Sequence, residues 1–186
     1  MSFKSTAQLG DILSVRGEAT GADNVFDVCV ERGEALVNAA TVHLGEAGRP
    51  HALFADAAAQ KSLDVRAWES ELAADGRPTL RAVLCYFERV RTEMLGGPAA
   101  LRRLSEDGDA VVVAKVKNLV RGGPATGPAL VCRSSAVVRR GTIISFRQEL
   151  SDAGSGAVLA SGEVTCVSIA ASGRPKRLPE WVQALF

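Results

Sequence analysis

The chain has 186 residues, 22 Lys and Arg against 21 Asp and Glu, and a formal net charge of +1. That is the size of one domain, with no charge excess to drive wholesale binding to nucleic acid or membrane. Aromatic residues are 5% of the chain, too few for platforms on which bases stack, whereas a 47% hydrophobic content is ample for a core. The opening MSFKSTAQLGDILSV has no apolar run of signal-peptide length, and no segment approaches a membrane span. Cys29, Cys85, Cys132 and Cys166 lie far apart without a CxxC spacing. They read as small buried hydrophobes in a reducing, cytoplasmic compartment, so neither disulfide, metal nor cofactor is expected.

We expect a single domain over 1–186, with residues 1–22 as a loosely docked lead-in carrying one apolar group (Leu9, Ile12, Leu13, Val15). Over 24–32, Val25, Asp27, Cys29 and Glu31 alternate with Phe26, Val28 and Val30, the period of a half-buried strand. Gly33-Glu34 turns it into a returning strand over 35–44. Residues 46–74 are long for a strand-to-helix connection, and the Ala-rich composition of 51–74 predicts one or two helices there.

Asp75-Gly76-Arg77-Pro78-Thr79 then reads as a loop, with Thr79 the N-cap of a helix over 80–95 that Gly96-Gly97-Pro98 stops. At about 100° per residue, Leu80, Val83, Leu84, Phe87, Val90, Met94 and Leu95 share one apolar stripe. Arg91 falls in the middle of it. A guanidinium keeps its charge, so burial there demands a carboxylate, a row of carbonyls or an anionic ligand. A short helical piece over 99–104 leads to four strands at 110–120, 129–138, 142–150 and 157–170, bounded by GGPATGP, RRG and SDAGSG. The 180–186 tail ends in Trp181, Val182, Leu185 and Phe186, which would dock on the domain or on a partner chain. A hairpin, one greasy helix and a four-strand meander predict an α+β architecture: an antiparallel sheet curled around the helix, its edge covered by a second copy.

The helix segment CYFERVRTEML resembles the YFE-x-x-R helix of the hotdog-fold thioesterases, the group that includes 4-hydroxybenzoyl-CoA thioesterase and the enediyne polyketide thioesterases. The segments VAKVKNLVRGGPATGPALVCRSSAVVRRGTIISFRQEL, GAVLASGEVTCVSI and GRPKRLP follow in the family's order, so the resemblance covers residues 76–179. It implies the hotdog fold and hydrolysis of acyl thioesters of CoA or an acyl carrier protein, in polyketide or other secondary metabolism. A homodimer or homotetramer without nucleic-acid or membrane partners goes with it. One departure stands out. Many members carry D-x-x-G-H/N-x-N before the helix; here Gly76 matches the glycine, Ala73 replaces the Asp, Arg77 the His, and Thr79 and Leu80 the Asn partners. Asp75 is two residues out of register, while Arg91 matches the helix arginine with which the enediyne-type members hold substrate.

Thioester hydrolysis needs a polarised carbonyl, an activated water or carboxylate nucleophile, and a grip on the carrier arm. Free N–H groups over 76–80 would form the oxyanion site, with Gly76, Arg77 and Thr79 touching substrate; alternatively Gly76 is an ordinary loop glycine. Asp75 is the candidate base or nucleophile, against a loop Asp in solvent. Glu88 either positions a water or pairs with Arg91, and Arg91 either clamps the acyl group or forms a structural ion pair. Arg139 and Arg140, beside Gly141, are the strongest of a basic series (Lys115, Lys117, Arg121, Arg133, Arg147) that fits CoA phosphates or an acidic carrier protein. His43 and His51 have no partner at ligand spacing. A hotdog dehydratase would want a His near the helix start and finds none. A non-catalytic hotdog that binds acyl thioesters or a carrier protein is the alternative that the missing Asp motivates.

Overall fold

The computed structural model describes residues 2–3, 12–22, 24–43, 49–54 and 59–186. Leu9 and parts of the 46–74 insertion lie outside these. Nine strands among the described residues form one antiparallel sheet: β1 (Ser2–Phe3), β2 (Ser14–Ala19), β3 (Val25–Arg32), β4 (Ala35–His43), β5 (Lys61–Arg66), β6 (Asp109–Arg121), β7 (Ala129–Arg139), β8 (Ile143–Asp152) and β9 (Val158–Ala170). Their order across the sheet is β2-β3-β4-β1-β6-β9-β8-β7-β5. The helices are α1 (Leu80–Met94), α2 (Gly97–Glu106) and α3 (Glu180–Gln183).

Two expectations are corrected. Among the described residues of 51–74 the predicted helices are not found: residues 61–66 are strand β5, paired with β7, and Glu69–Glu71 is a single 3-10 turn. Alternation decides this. Leu63 and Val65 turn inward while Ser62, Asp64 and Arg66 are exposed, a period-2 pattern that the neighbouring alanines mask in composition. The four C-terminal strands are also not a full meander, because β6 pairs with β9 and β7 with β5 and β8. The segment 122–128 is therefore a crossover at one end of the sheet, not a hairpin turn.

The sheet grips α1, as expected, but the buried face is rotated from the predicted stripe. Ala82, Val83, Tyr86, Phe87, Val90, Arg91 and Met94 are buried, while Leu80 is exposed and Leu84 half-buried. Tyr86 can be buried because its hydroxyl donates to Glu71 at 2.7 Å. Val83, Tyr86, Phe87 and Val90 meet Leu130 and Leu150 in one core cluster; Met94 meets Leu104, Ile144, Phe146 and Val182 in another. Burying a side chain such as Phe87 stabilises the fold by about 1.5–3 kcal/mol. The tail docks on the domain itself: Val182 is buried, Phe186 meets Phe146 edge-on at 6.2 Å, and Arg103 lies over the Trp181 ring at 4.6 Å.

Candidate active site

The loop that caps α1 is built as a narrow hairpin. Thr79 N–H donates to Glu71 O at 2.8 Å, Ala73 N–H to Arg77 O at 2.8 Å, and Leu72 bridges Pro78. Asp75 and Gly76 form its tip. Gly76 takes φ +75°, a left-handed conformation that suits glycine, and its N–H donates to Ala73 O at 2.9 Å. Arg77 folds back on Asp75, its N–H on Oδ1 at 3.0 Å and its Nε 3.3 Å from Oδ2. Thr79 Oγ1 accepts from Ala82 N–H at 3.2 Å, as expected of the cap.

These bonds change the expected oxyanion site. The N–H groups of Gly76, Arg77 and Thr79 are occupied within the hairpin, and Pro78 has none. Among the described residues, only the Leu80 and Arg81 N–H groups remain open at the helix start. The crossover and the end of β6 brace the hairpin: Ala125 N–H donates to Gly76 O and Arg121 Nη1 to Pro78 O, both at 3.1 Å.

Beside this tip stands a carboxylate that the sequence reading did not single out. Glu71 Oε2 accepts from Trp68 N–H at 2.9 Å as well as from the Tyr86 hydroxyl. Burial alone would raise the Glu71 carboxyl. The Trp68 N–H, the Tyr86 hydroxyl and the charges of Arg89 and Arg81 outweigh it and hold the group below the usual carboxylate range. Tyr86 shifts upward, first by burial and then by its bond to Glu71.

Arg91 lies between helix and sheet, 8% exposed. Its Nη1 donates to Gln148 Oε1 at 2.7 Å, and Gln148 Nε2 donates to Phe87 O at 2.8 Å. No carboxylate lies within ion-pair distance among the described residues; Glu88, a candidate partner, is on the exposed face of α1 and acts on Arg91 only through its field. Burial lowers the Arg91 pKa and pushes the flanking thiols up, Cys132 to about 12 and Cys166 to about 11. Ser134, directly across the ladder from Gln148, keeps a buried hydroxyl oxygen without a partner. Among the described residues, the hydrogen-bond acceptor of this buried cation is a neutral amide.

The remaining candidates are dispersed. Asp75, Gly76, Arg77 and Thr79 are together at the tip, but Arg139 and Arg140 are exposed at the β7–β8 turn, at the other end of β7. Ala129 pairs with Arg66, next to the cap hairpin, so ten strand steps of about 3.3 Å put Arg139 roughly 33 Å from that end. His51 is exposed on residues 49–54, which cross the other face of the sheet, where Leu53 N–H donates to the buried Glu149 at 2.7 Å. No group of three or more His, Cys, Asp or Glu that could hold a metal occurs among the described residues, and no helix there is long and apolar enough to cross a membrane.

No protein-family profile matches the chain, and no curated protein matches it. Solved structures do. A 1,4-dihydroxy-2-naphthoyl-CoA thioesterase from Synechocystis is 16% identical with a TM-score of 0.60, the match covering 67% of this chain and 93% of that one. A probable thioesterase from Bartonella henselae is 21% identical with a TM-score of 0.56, covering 64% and 98%. A DHNA-CoA thioesterase from Staphylococcus aureus is 14% identical with a TM-score of 0.57, covering 66% and 86%. With the helix, the wrapped sheet and these likenesses in agreement, the chain has the hotdog fold.

Proposed function

We propose that the protein hydrolyses acyl thioesters of CoA or of an acyl carrier protein, with the thioester carbonyl at the start of α1 and the acyl group running between helix and sheet toward Arg91. The observation that carries this reading is the buried Arg91 guanidinium, answered by Gln148 and, among the described residues, by no carboxylate. A polar acyl group, an aromatic hydroxyl or a polyketide oxygen, would supply the missing acceptor. In the reaction, water adds to the carbonyl carbon while the Leu80 and Arg81 N–H groups receive the developing oxyanion. Asp75 takes the proton from that water. The tetrahedral intermediate then collapses, the C–S bond breaks, the thiol leaves with a proton, and the acyl group departs as a carboxylic acid. Glu88, on the outward face of α1, is the alternative base for a thioester bound against that face.

Arg139 and Arg140 enter this reading through a second copy. They lie roughly 33 Å from the cap hairpin of their own chain, farther than a pantetheine arm reaches. A two-fold that pairs sheet edges antiparallel turns the partner end over end, bringing its β7–β8 turn to the end of the sheet where this chain's α1 starts. The active unit we propose is thus a homodimer, or a homotetramer of such dimers, with the phosphate contacts donated in trans.

The test is release of free thiol from a panel of aliphatic and aromatic acyl-CoA and acyl-pantetheine substrates. Turnover is expected, reduced about 100-fold or more in kcat by Asp75→Asn as for a general base. Arg139→Ala should raise KM for acyl-CoA and leave acyl-pantetheine unchanged. An equal loss in Glu88→Gln with none in Asp75→Asn would transfer the base to Glu88. A second reading has its own observation: Ala73 stands where the resembling thioesterases place Asp, and Asp75 is folded onto Arg77. On that reading the protein binds acyl thioesters without turnover, and retention of intact acyl-CoA by the folded protein would favour it.

A further inference from the structure

The crossover 122–128 has little of its own to hold it. Its sequence GGPATGP carries three glycines and two prolines, and only Ala125 packs against the core. Four polar ties fix it instead. Gly122 N–H donates to Leu159 O at 2.7 Å, Ala125 N–H ties it to the cap hairpin, Thr126 ties it to Asp152, and Pro128 O accepts from Ala67 N–H at 2.8 Å.

Asp152 is 2% exposed, and its carboxylate accepts five hydrogen bonds. Three come from its own turn: Gly154 N–H at 3.1 Å, Ser155 N–H at 2.7 Å and Ser155 Oγ at 2.8 Å. Two reach across 26 residues, from Thr126 N–H and Thr126 Oγ1, each at 2.8 Å. A carboxylate that only had to close the β8–β9 turn would not need Thr126. The next residue toward the hairpin, Ala125, donates to Gly76 O, and a Cβ on Gly76 would stand 3.2 Å from Pro124 Cβ. The path from Asp152 to the hairpin tip is therefore Thr126, then Ala125 and Pro124, then Gly76, with a hydrogen bond or a contact at each joint.

We propose that Asp152 is a positioning residue: through Thr126 it fixes the crossover, the crossover fixes the tip of the cap hairpin, and the hairpin sets where the open Leu80 and Arg81 N–H groups and Asp75 face the substrate. Asp152 touches no substrate in this scheme. Its effect on turnover rests on the hydrolase reading, but its effect on the hairpin does not.

Hydrogen exchange and kinetics separate the two. The Ala73, Gly76, Arg77 and Thr79 amides are all hydrogen-bonded in the hairpin and report on it, while amides of β8 and β9 report on the core. Asp152→Asn and Thr126→Val should speed exchange of the hairpin amides about tenfold or more, the equilibrium weight of one charge-assisted hydrogen bond, without matching changes in β8 and β9. Thr126→Ser keeps both donors and should behave as the wild type. Thr126 is exposed, so its variants retain the fold even where Asp152→Asn does not. With 4-hydroxybenzoyl-CoA and benzoyl-CoA as probes, kcat should fall in the two disrupting variants while KM stays. Unchanged hairpin exchange in folded Thr126→Val overturns the proposal. So does acceleration spread equally over β8 and β9, or hairpin acceleration with an unaltered kcat. If the hairpin responds as predicted but the wild type hydrolyses no thioester, the positioning of the hairpin stands and the hydrolase reading falls.

Discussion

Arg91 concentrates the chemistry of the core in one side chain. Removing a charge from water is costly, and a neutral amide recovers less of that cost than a carboxylate would. Arg91→Met removes the buried charge but leaves Gln148 Oε1 without its donor, two opposing effects, so the fold should stay intact with stability within about 1 kcal/mol of the wild type in urea unfolding. It should also remove turnover of substrates with a polar acyl group. Gln148→Leu does the opposite, leaving the Arg91 guanidinium without its acceptor and the Phe87 carbonyl with one donor fewer, and should cost about 3 kcal/mol. Asp152 sets an acid limit. Hydrogen bonds from Ser155 and Thr126 hold its carboxyl well below the usual range in the folded protein. A depressed folded pKa stabilises above the unfolded value of about 3.9, and that contribution is lost as pH falls from there toward the folded pKa. Stability measured from pH 7 downward should thus fall below about pH 4, with a shallower fall in Asp152→Asn from a lower starting point.

At the scale of elements, the start of α1 and the crossover behave as one unit. Thr79→Ala should cost about 1 kcal/mol through loss of the cap bond to Ala82. Gly122→Ala should be more damaging, because its Cβ would meet Pro50 Cγ at 2.8 Å and the Val158 carbonyl oxygen at 2.9 Å, and a backbone atom cannot swing aside. Thermal unfolding of both variants checks the ranking. This scale also separates what the residues reveal from what they hide. Helix α1, its Thr79 cap and strands β7 to β9 are legible because their periods are strong and glycines and prolines punctuate them. Strand β5 is hidden by alanines, and the β6–β9 pairing is hidden because a turn composition does not distinguish a hairpin from a crossover. At the site, Arg91 is visible as a charge on an apolar stripe. Its partner is not: Gln148 stands in the inward register with Ile144, Phe146 and Leu150, the one polar residue among them, but nothing in the sequence pairs it with Arg91. Glu71, Tyr86 and Asp152 leave no such signal, since their roles come from hydrogen bonds across 15 and 26 residues of sequence.

For the whole molecule, the sheet ends matter more than its faces. The cap hairpin is at one end and the Arg139–Arg140 turn at the other, so a reaction that uses both must combine two chains. Light scattering of the purified protein is expected to give a dimer or tetramer. Mixing Asp75→Asn with Arg139→Ala protein should then restore part of the acyl-CoA activity through mixed dimers carrying one intact site. The central claim, thioester cleavage at the start of α1, is tested most directly by following free thiol release from the acyl-CoA panel with wild-type and Arg91→Met protein side by side. The account predicts turnover by the wild type and, for members of the panel with a polar acyl group, its loss in the folded variant. A folded wild type that releases no thiol from any member of the panel would contradict it.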